Sequence, residues 1–365
     1  MQQQPSSTPG ENELPDHLAR HRAFWQRAPV DRPLVCALDQ RVWQAKPYPL
    51  SNGRSARDSQ RITVDDLDID LLLGRDKPPP ALLSGDLINP LNCTYPAAWM
   101  EAVAGCPIYA SAYGCVARPV TADVDEALRM FSLEDALRSP WLDFMDALMD
   151  RAGIYSAGRF PVSQLHQRGV IDILAAYLGE EPLCMAVYDA PDQLAALADQ
   201  MADLFIAVAE RGFHHRPLWQ DGSVSCWQLY APGRLVDYQI DASSLFSPDV
   251  YARYFARFDR KVLHAFPHTL IHLHSVGLHL VDAVLDTEAA QTIEINFDRE
   301  AGHWDPAGML AVCRKIQARG RSLLLVGELS DAEYQEFVGA LDPAGLAILH
   351  WRRGVTVPLK TKGTA

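Results

Sequence analysis

Two histidines stand one residue apart in an otherwise apolar run, TLIHLHS, at residues 269–275. A short apolar run followed soon by a glycine is typical of a buried strand. Side chains alternate between the two faces of a strand, so His272 and His274 share one face, while Ile271 and Leu273 share the other. Because the apolar side chains must meet the surrounding layer of helices, we expect both imidazoles to point into the fold.

The next two predicted strands also carry polar side chains, one on its inner face and the other at its carboxyl end. The run TIEINF carries Glu294 and Asn296 on its inner face, and the run SLLLVGE ends on Glu328. Two imidazoles and one carboxylate with an open fourth position suit catalytic zinc, and the same set suits ferrous iron. The sequence therefore predicts a metal site formed by His272, His274 and Glu328. The alternatives are hydrogen-bonded core histidines and a Glu328 that caps the helix beginning at Ser330.

Further candidates follow the preceding strands. Asp241 lies between SVSCWQLY and a helix, where a carboxylate acts as a general base, holds a substrate amine or hydroxyl, or binds the amides of its own turn. Trp227 either forms an aromatic wall or fills the interior. The segment SQLHQRG adds an arginine that can hold a carboxylate through a bidentate contact. Asp298 and His303 rank behind these. The predicted substrate-binding residues are Trp227, Gln164, His166, Arg168 and Asn296.

The scaffold must bring these strand ends together. β-like runs alternate with amphipathic helical runs, a pattern typical of parallel β/α units. Ser247-Pro248 and Ser330-Asp331 are helix start signals. Eight such units close an α/β fold of the (β/α)8 TIM-type barrel class, with its site at the carboxyl ends of the strands. The eight predicted strands are residues 33–38, 107–114, 153–160, 223–230, 269–275, 292–297, 322–328 and 346–351.

Residues 39–106 do not follow this alternation. They contain an acidic patch and a KPPP run, and we interpret them as an insertion or cap after the first strand. Such a segment either lies over the barrel mouth or packs against a second subunit in a homodimer. The rest of the chain divides into a disordered tail (1–16), a single barrel domain (17–355) and a second disordered tail (356–365).

Composition argues against two kinds of partner. The 365 residues are 48% hydrophobic and 22% charged, which is ordinary for a globular protein. The formal net charge of -13 argues against binding nucleic acid, which requires basic surface. The sequence contains no run of 18 or more apolar residues, which is the length needed to span a membrane. Seven scattered cysteines without a CxxC pair, and no export signal, predict reduced thiols in the cytoplasm.

Four segments, in order, resemble the uroporphyrinogen decarboxylase superfamily, which includes corrinoid-dependent methyltransferases. The resemblance extends over residues 15–351 and implies the same barrel. It also places Asp241 at the acidic position of the family, which favours a catalytic role for Asp241 beside His272 and His274. The segments are HRAFWQRAPVDRPLV, GVIDILAAYLGEEPLCMAVYDAPDQLAALADQM, WQLYAPGRLVDYQIDASSLFSPDVYARYF and IHLHSVGLHLVDAVL.

Two departures change what this resemblance implies. The decarboxylases grip substrate carboxylates with an RQAGR-like element, whereas this chain has ALDQRVWQAKPYP with Arg41, which argues against uroporphyrinogen decarboxylation. The methyltransferases bind zinc through His-x-Cys and a later Cys. Here His272 is kept, His274 replaces the first Cys, and Glu328 lies near the later one. This harder ligand set leaves more positive charge on the metal, which favours an oxygen-bearing substrate over a thiol.

The sequence thus predicts metal-assisted methyl transfer, with zinc or iron in the protein and either a corrinoid methyl donor on a partner protein or a small-molecule partner. Two alternatives stay open. One is a metal-free decarboxylase or lyase acting on a carboxylated small molecule, with His272 and His274 as proton donors and Arg168 or Arg41 as carboxylate anchors. The other is a barrel that binds a ligand without catalysis.

Overall fold

The computed structural model describes nine stretches of the chain. The first helix begins at Leu14, inside the tail predicted for residues 1–16, and the last strand ends at Trp351. Residues 1–12 and 352–365 lie outside the described part, so the predicted disorder of the two tails stays a prediction there. The described stretches are residues 13–38, 50–53, 59–73, 81–93, 98–111, 114–164, 167–216, 218–299 and 304–351.

None of the helices in these stretches is long and apolar enough to cross a membrane, and all seven cysteines are free. The strands are β1 (Leu34–Leu38), β2 (Arg61–Ile62), β3 (Leu83–Ser84), β4 (Leu87–Ile88), β5 (Ile108–Ser111), β6 (Gly114–Ala117), β7 (Gly222–Val224), β8 (Tyr230–Pro232), β9 (Leu235–Gln239), β10 (His268–His274), β11 (Thr292–Asn296), β12 (Ser322–Glu328) and β13 (Leu346–Trp351). The helices are α1 (Leu14–Gln26), α2 (Ile69–Leu73), α3 (Trp99–Val103), α4 (Val124–Met130), α5 (Leu133–Ala136), α6 (Pro140–Ser156), α7 (Val170–Leu178), α8 (Glu180–Asp189), α9 (Pro191–His215), α10 (Pro248–Tyr254), α11 (Ala256–His264), α12 (Val281–Leu285), α13 (Pro306–Ala318) and α14 (Asp331–Ala340).

Six strands form the central sheet, in the order β1-β13-β12-β11-β10-β9. Every neighbouring pair in this sheet is parallel. A helix lies in the chain between each two successive strands from β9 to β13, as parallel connections require. The prediction of an α/β fold made of parallel β/α units is therefore confirmed for this half of the chain.

The two faces of the sheet bury different sets of side chains. Ile271 and Ile295 pack in the main hydrophobic cluster, together with residues of the surrounding helices. Leu270, one residue along the same strand, packs instead in a second cluster with Phe24 of α1. The alternation in the sequence therefore predicted correctly that Ile271 faces the helices. Leu270 and His272 lie on the opposite face of the strand.

Backbone hydrogen bonds continue beyond both edge strands of this sheet. At the β9 edge, Arg168 forms a parallel bridge with Gln239, and Val162 forms another with Leu91. At the β1 edge, the amide of Asp86 donates to a carbonyl of β1 at 2.8 Å. The described residues of 86–91, 161–164 and 167–168 are thus hydrogen-bonded to the two edges or to each other.

Three of the eight predicted barrel strands were wrong. Residues 153–160 overlap the end of α6, a helix that starts at Pro140 after the Ser139 cap, so the helical pattern overrides the β-rich composition of its last turn. Residues 107–114 supply β5, which pairs with β2 and β6 in a separate antiparallel sheet. Residues 223–230 supply parts of the β7–β8 hairpin rather than one strand.

The predicted insertion, residues 39–106, is partly built into this core. Residues 39–49 lie outside the described part. The β3–β4 hairpin packs beside β1, and Leu91 bridges Val162. Trp99 of α3 is buried and stacks on Phe144 of α6, which anchors α3 in the helical layer.

Candidate metal centre and adjoining cleft

Three side chains converge at the carboxyl ends of β9 and β10. One ligand atom from each of Asp241, His272 and His274 lies within 4.8 Å of the other two. The Nε2 atom of His272 is 3.7 Å from Oδ1 of Asp241, and the Nε2 atom of His274 is 3.8 Å from the same oxygen. These separations are too long for hydrogen bonds. The two imidazoles and the carboxylate therefore face one common point.

A carboxylate holds the other ring nitrogen of each histidine. Nδ1 of His272 hydrogen-bonds with Glu294, and Nδ1 of His274 lies 2.9 and 3.0 Å from the two oxygens of Asp298. Since a carboxylate accepts hydrogen bonds, each Nδ1 carries a proton and each Nε2 is turned toward Asp241. Carboxylates that orient histidines in this way are a regular feature of metal sites.

Strand register explains the first of these contacts. His272 lies opposite Glu294, and His274 lies opposite Asn296, in the parallel pairing of β10 with β11. Side chains of paired residues point to the same face. The sequence predicted the inner face of Glu294 and of Asn296, but not the contact between Glu294 and His272, because the register of two strands is not visible in either strand alone.

The turn after β10 fixes the second carboxylate. The amide of Ser275 donates to Asp298 at 2.9 Å, and the amide of Asp298 donates to the hydroxyl of Ser275 at 3.1 Å. The same hydroxyl donates to the backbone carbonyl of Asn296 at 2.9 Å. Asp298, ranked low from the sequence, is thus held beside His274.

The electrostatics of the centre favour positive charge. Burial by itself lowers the pKa of His272, but the adjacent Glu294, together with Asp241 and Asp298, raises it to about 9. Burial likewise lowers the pKa of His274, while its hydrogen bond to Asp298 and the charge of Asp241 raise it above the ordinary value. Three carboxylates around two imidazoles therefore attract protons or a metal ion.

Two other predicted residues take different places. Trp227 is buried in the interior cluster, and its ring stacks on His272 with centroids 5.4 Å apart and an angle of 13° between the planes. It both fills the interior and forms a wall of the centre. Glu328, at the end of β12, pairs in register with Trp351. Glu328 is not in the group of ligand atoms found in the described residues, where Asp241 stands in its place.

A cleft of about 640 Å³ opens beside Asp241 and is bordered by α3, β6, α7 and the end of β9. Arg168 lies in its wall, where Nη1 contacts Glu101 at 2.9 Å and Nε lies 3.5 Å from Asp172. Burial raises the pKa of Asp172 to about 7, against the opposing effect of Arg168. Glu101 and Asp172 were missed from the sequence, because nothing local distinguishes them from surface carboxylates.

The remaining predicted residues are not brought to this cleft by the described structure. Gln164 is buried, and its amide donates to the backbone carbonyl of Asp237 at 3.1 Å. It lines a separate small cavity between α6 and α9. His166, Arg41 and His303 lie outside the described residues.

Comparison with solved structures shows that this fold is similar to that of a methyltransferase from Methanosarcina mazei. The TM-score is 0.59 and the sequence identity 12%, over 93% of this chain and 93% of that chain. No protein-family model matches the chain, and no curated protein matches its sequence at a significant level. At this identity the likeness establishes the fold alone.

Proposed function

We propose that the protein is a (β/α)8-barrel enzyme of the uroporphyrinogen decarboxylase superfamily that carries out metal-assisted methyl transfer. The barrel is supported by the six parallel strands and by the hydrogen bonds at both of their edges. With residues 86–91 as the second strand, and residues 161–164 and 167–168 as described parts of the third, the sheet would close with eight strands. The likeness of fold to a methyltransferase over nearly the whole chain supports the choice of reaction.

The observation that carries the proposal is the donor set of the centre. His272, His274 and Asp241 would hold zinc or ferrous iron, with the metal's remaining positions open. Ligands about 2.1 Å from one zinc ion at tetrahedral angles are about 3.4 Å apart, close to the 3.7 and 3.8 Å that separate the Nε2 atoms from Asp241 Oδ1. Asp241 replaces Glu328 in our assignment because Glu328 is outside this group.

The chain's own residues have separable tasks. Glu294 and Asp298 keep the Nδ1 protons in place and so direct Nε2 of each histidine into the centre. The ring of Trp227 covers one face of His272. When bound, the metal would supply Lewis acidity to polarise an oxygen-bearing or similar substrate group. The cleft beside Asp241 would hold the substrate. The methyl donor would be a corrinoid carried by a partner protein, as the resemblance to the corrinoid-dependent methyltransferases implies.

The metal-free decarboxylase is less well supported. It requires arginines that converge on a substrate carboxylate, yet Arg168 is the single arginine lining the cleft among the described residues. Its guanidinium is already flanked by Glu101 and Asp172. A cytoplasmic location remains part of the proposal because all seven cysteines are free.

Metal analysis by mass spectrometry tests the proposal. Untagged protein, incubated with zinc or ferrous iron and desalted, should retain about one ion per chain. The His272→Ala/His274→Ala variant should retain almost none while keeping its circular dichroism spectrum. His264→Ala, an exposed histidine on α11, is the matched control and should bind metal like the wild type.

Activity is the second readout. The assay mixes methylcobalamin with a panel of small acceptors and follows demethylation of the corrinoid by absorbance. The metal-loaded wild type and His264→Ala should demethylate the corrinoid, whereas the double variant should not. Equal metal content in wild type and double variant, or no retained metal in either, would exclude the metal centre and with it the metal-assisted reaction.

A further inference from the structure

The two histidines of the candidate metal centre are held in different surroundings. His272 pairs with Glu294 inside the fold, where their side chains are 3% and 0% exposed. The side chains of His274 and Asp298 are 33% and 21% exposed. A pair that water reaches gains little from its charges and loses side-chain entropy, so it keeps one geometry only where other contacts fix it. The contacts that fix Asp298 therefore decide how firmly His274 is directed into the centre.

Ser275 supplies such contacts at the point where two strands stop pairing. The last pair in the register of β10 and β11 is His274 with Asn296. The chain then leaves β10 and enters a 3-10 helix, Ser275–Leu280, so the backbone does not continue the ladder. The hydroxyl of Ser275 takes the place of the ladder. It donates to the carbonyl of Asn296 at 2.9 Å and accepts from the amide of Asp298 at 3.1 Å.

The backbone of Ser275 holds the carboxylate of the same aspartate. Its amide donates to Oδ2 of Asp298 at 2.9 Å, and the two carboxylate oxygens lie 2.9 and 3.0 Å from Nδ1 of His274. The hydroxyl thus fixes the backbone of Asp298, while the amide fixes its side chain. A hydroxyl suits this position because a single oxygen both donates and accepts.

We propose that Ser275 is a positioning residue of the metal centre, which acts on His274 through Asp298. The inference rests on the proposed function, because it concerns the affinity of that centre for its metal. Groups that orient histidine ligands contribute to metal affinity, and Ser275 extends this support by one residue beyond the carboxylate. Its effect should pass through Asp298 and leave the pair of His272 and Glu294 unchanged.

Zinc affinity, measured by competition with a chromophoric chelator, tests the hydroxyl. Ser275→Ala should weaken zinc binding by about tenfold, the loss expected when an orienting carboxylate is released. Ser275→Thr keeps the hydroxyl and should bind zinc within about twofold of the wild type. Ser223→Ala is the matched control, because it removes a hydroxyl that donates to a backbone carbonyl at 2.8 Å in the β7–β8 hairpin. This control should bind zinc like the wild type.

Double variants separate positioning from a general loss of structure. In the Asp298→Asn background, adding Ser275→Ala should have less than about a twofold effect, because the carboxylate through which the hydroxyl acts is already gone. In the Glu294→Gln background, the same change should again weaken zinc binding by about tenfold. A further loss of about tenfold in both backgrounds would mean that Ser275 does not act through Asp298, and would overturn the inference.

Metal-free protein gives a readout that does not depend on zinc. Nuclear magnetic resonance of isotope-labelled histidine rings should show the Nδ1 proton of His274, assigned by its loss in His274→Ala. The signal should persist in Ser275→Thr and broaden through exchange with water in Ser275→Ala, while the Nδ1 proton of His272 stays unchanged. Circular dichroism verifies that each variant is folded.

The outcomes distinguish this inference from the proposed function. A wild type that binds no zinc would refute the proposed function, whatever the histidine signals show. Zinc binding by the wild type, together with an unchanged His274 signal or unchanged zinc affinity in folded Ser275→Ala, would overturn the inference alone.

Discussion

Two buried histidines at opposite ends of the central sheet have opposite surroundings. His21 lies on α1, at the amino ends of the strands, and is 0% exposed, while His272 is 2% exposed. Nδ1 of His21 accepts from the amide of Tyr230 at 3.1 Å, and Nε2 donates to the carbonyl of Asp86 at 3.0 Å. In His272, by contrast, Glu294 holds Nδ1 and Nε2 faces a second carboxylate.

The difference shows that the partners of a buried histidine, rather than its burial, decide its charge. Burial lowers the pKa of His21 to about 4, so its ring is neutral and its two backbone hydrogen bonds make it a structural residue. Burial acts on His272 in the same direction, but carboxylates overcome it and raise the pKa to about 9. A histidine surrounded by carboxylates either keeps its proton or exchanges it for a metal ion.

Removing the structural histidine gives the largest expected effect. His21→Ala leaves the Tyr230 amide and the Asp86 carbonyl without partners and opens a cavity, so the free energy of unfolding should fall by about 4 kcal/mol. Urea unfolding measures this loss, and the folded fraction should retain metal like the wild type. A loss below about 1 kcal/mol, or loss of metal, would break the contrast between the two histidines.

The two pKa values predict opposite pH dependences in metal-free protein. The stability contributed by His21 is present above pH 6.5 and is lost as the pH falls through about 4. The contribution of His272 is present below pH 6.5 and is lost as the pH rises through about 9. Each amounts to at most about 3 kcal/mol.

Urea unfolding between pH 4 and pH 9.5 with a chelator present measures both limbs. The acid limb should shrink in His21→Gln and the alkaline limb in His272→Gln. An alkaline limb that is identical in His272→Gln and wild type would mean that Glu294 does not hold a proton on His272.

The next largest expected effect is on zinc affinity, and it tests which carboxylate is the third metal ligand. Asp241→Asn should weaken zinc binding by roughly 100-fold, the share of one ligand in a typical zinc site. Glu328→Gln, the matched carboxylate at the end of β12, should weaken it less than twofold. Competition with a chromophoric chelator measures both. The reverse order would restore Glu328 as the ligand and contradict our assignment.

We expect the smallest loss of zinc affinity from changes to the two carboxylates that orient the histidines. Glu294→Gln and Asp298→Asn should each weaken zinc binding by about tenfold, because the histidine ligands lose their orientation and basicity. Asp282→Asn, an exposed residue of α12 that pairs with Lys315, serves as the control and should have no measurable effect. If both site variants bind zinc like this control, these carboxylates do not support the centre.

Much of the sheet could be predicted from the sequence, and the failures have a common cause. The runs that became β10 to β13 are short and apolar and are separated from one another by helical runs, so their positions were predicted closely. Residues 86–91, 161–164 and 167–168 were not predicted to join this sheet, because only isolated bridges and single backbone hydrogen bonds connect them to it. Residues 153–160 were misread because their β-rich composition belongs to a helix that begins at Pro140.

The residues of the candidate metal centre were likewise predicted only in part. The sequence alone determined that His272 and His274 share the inner face of β10, because alternation along a strand is a local property of the backbone. Only the tertiary structure decided which carboxylates meet them. Glu294 reaches His272 through strand register, and Asp241 arrives from the turn after a different strand. Register and sheet order arise from packing between distant segments, which no single segment encodes.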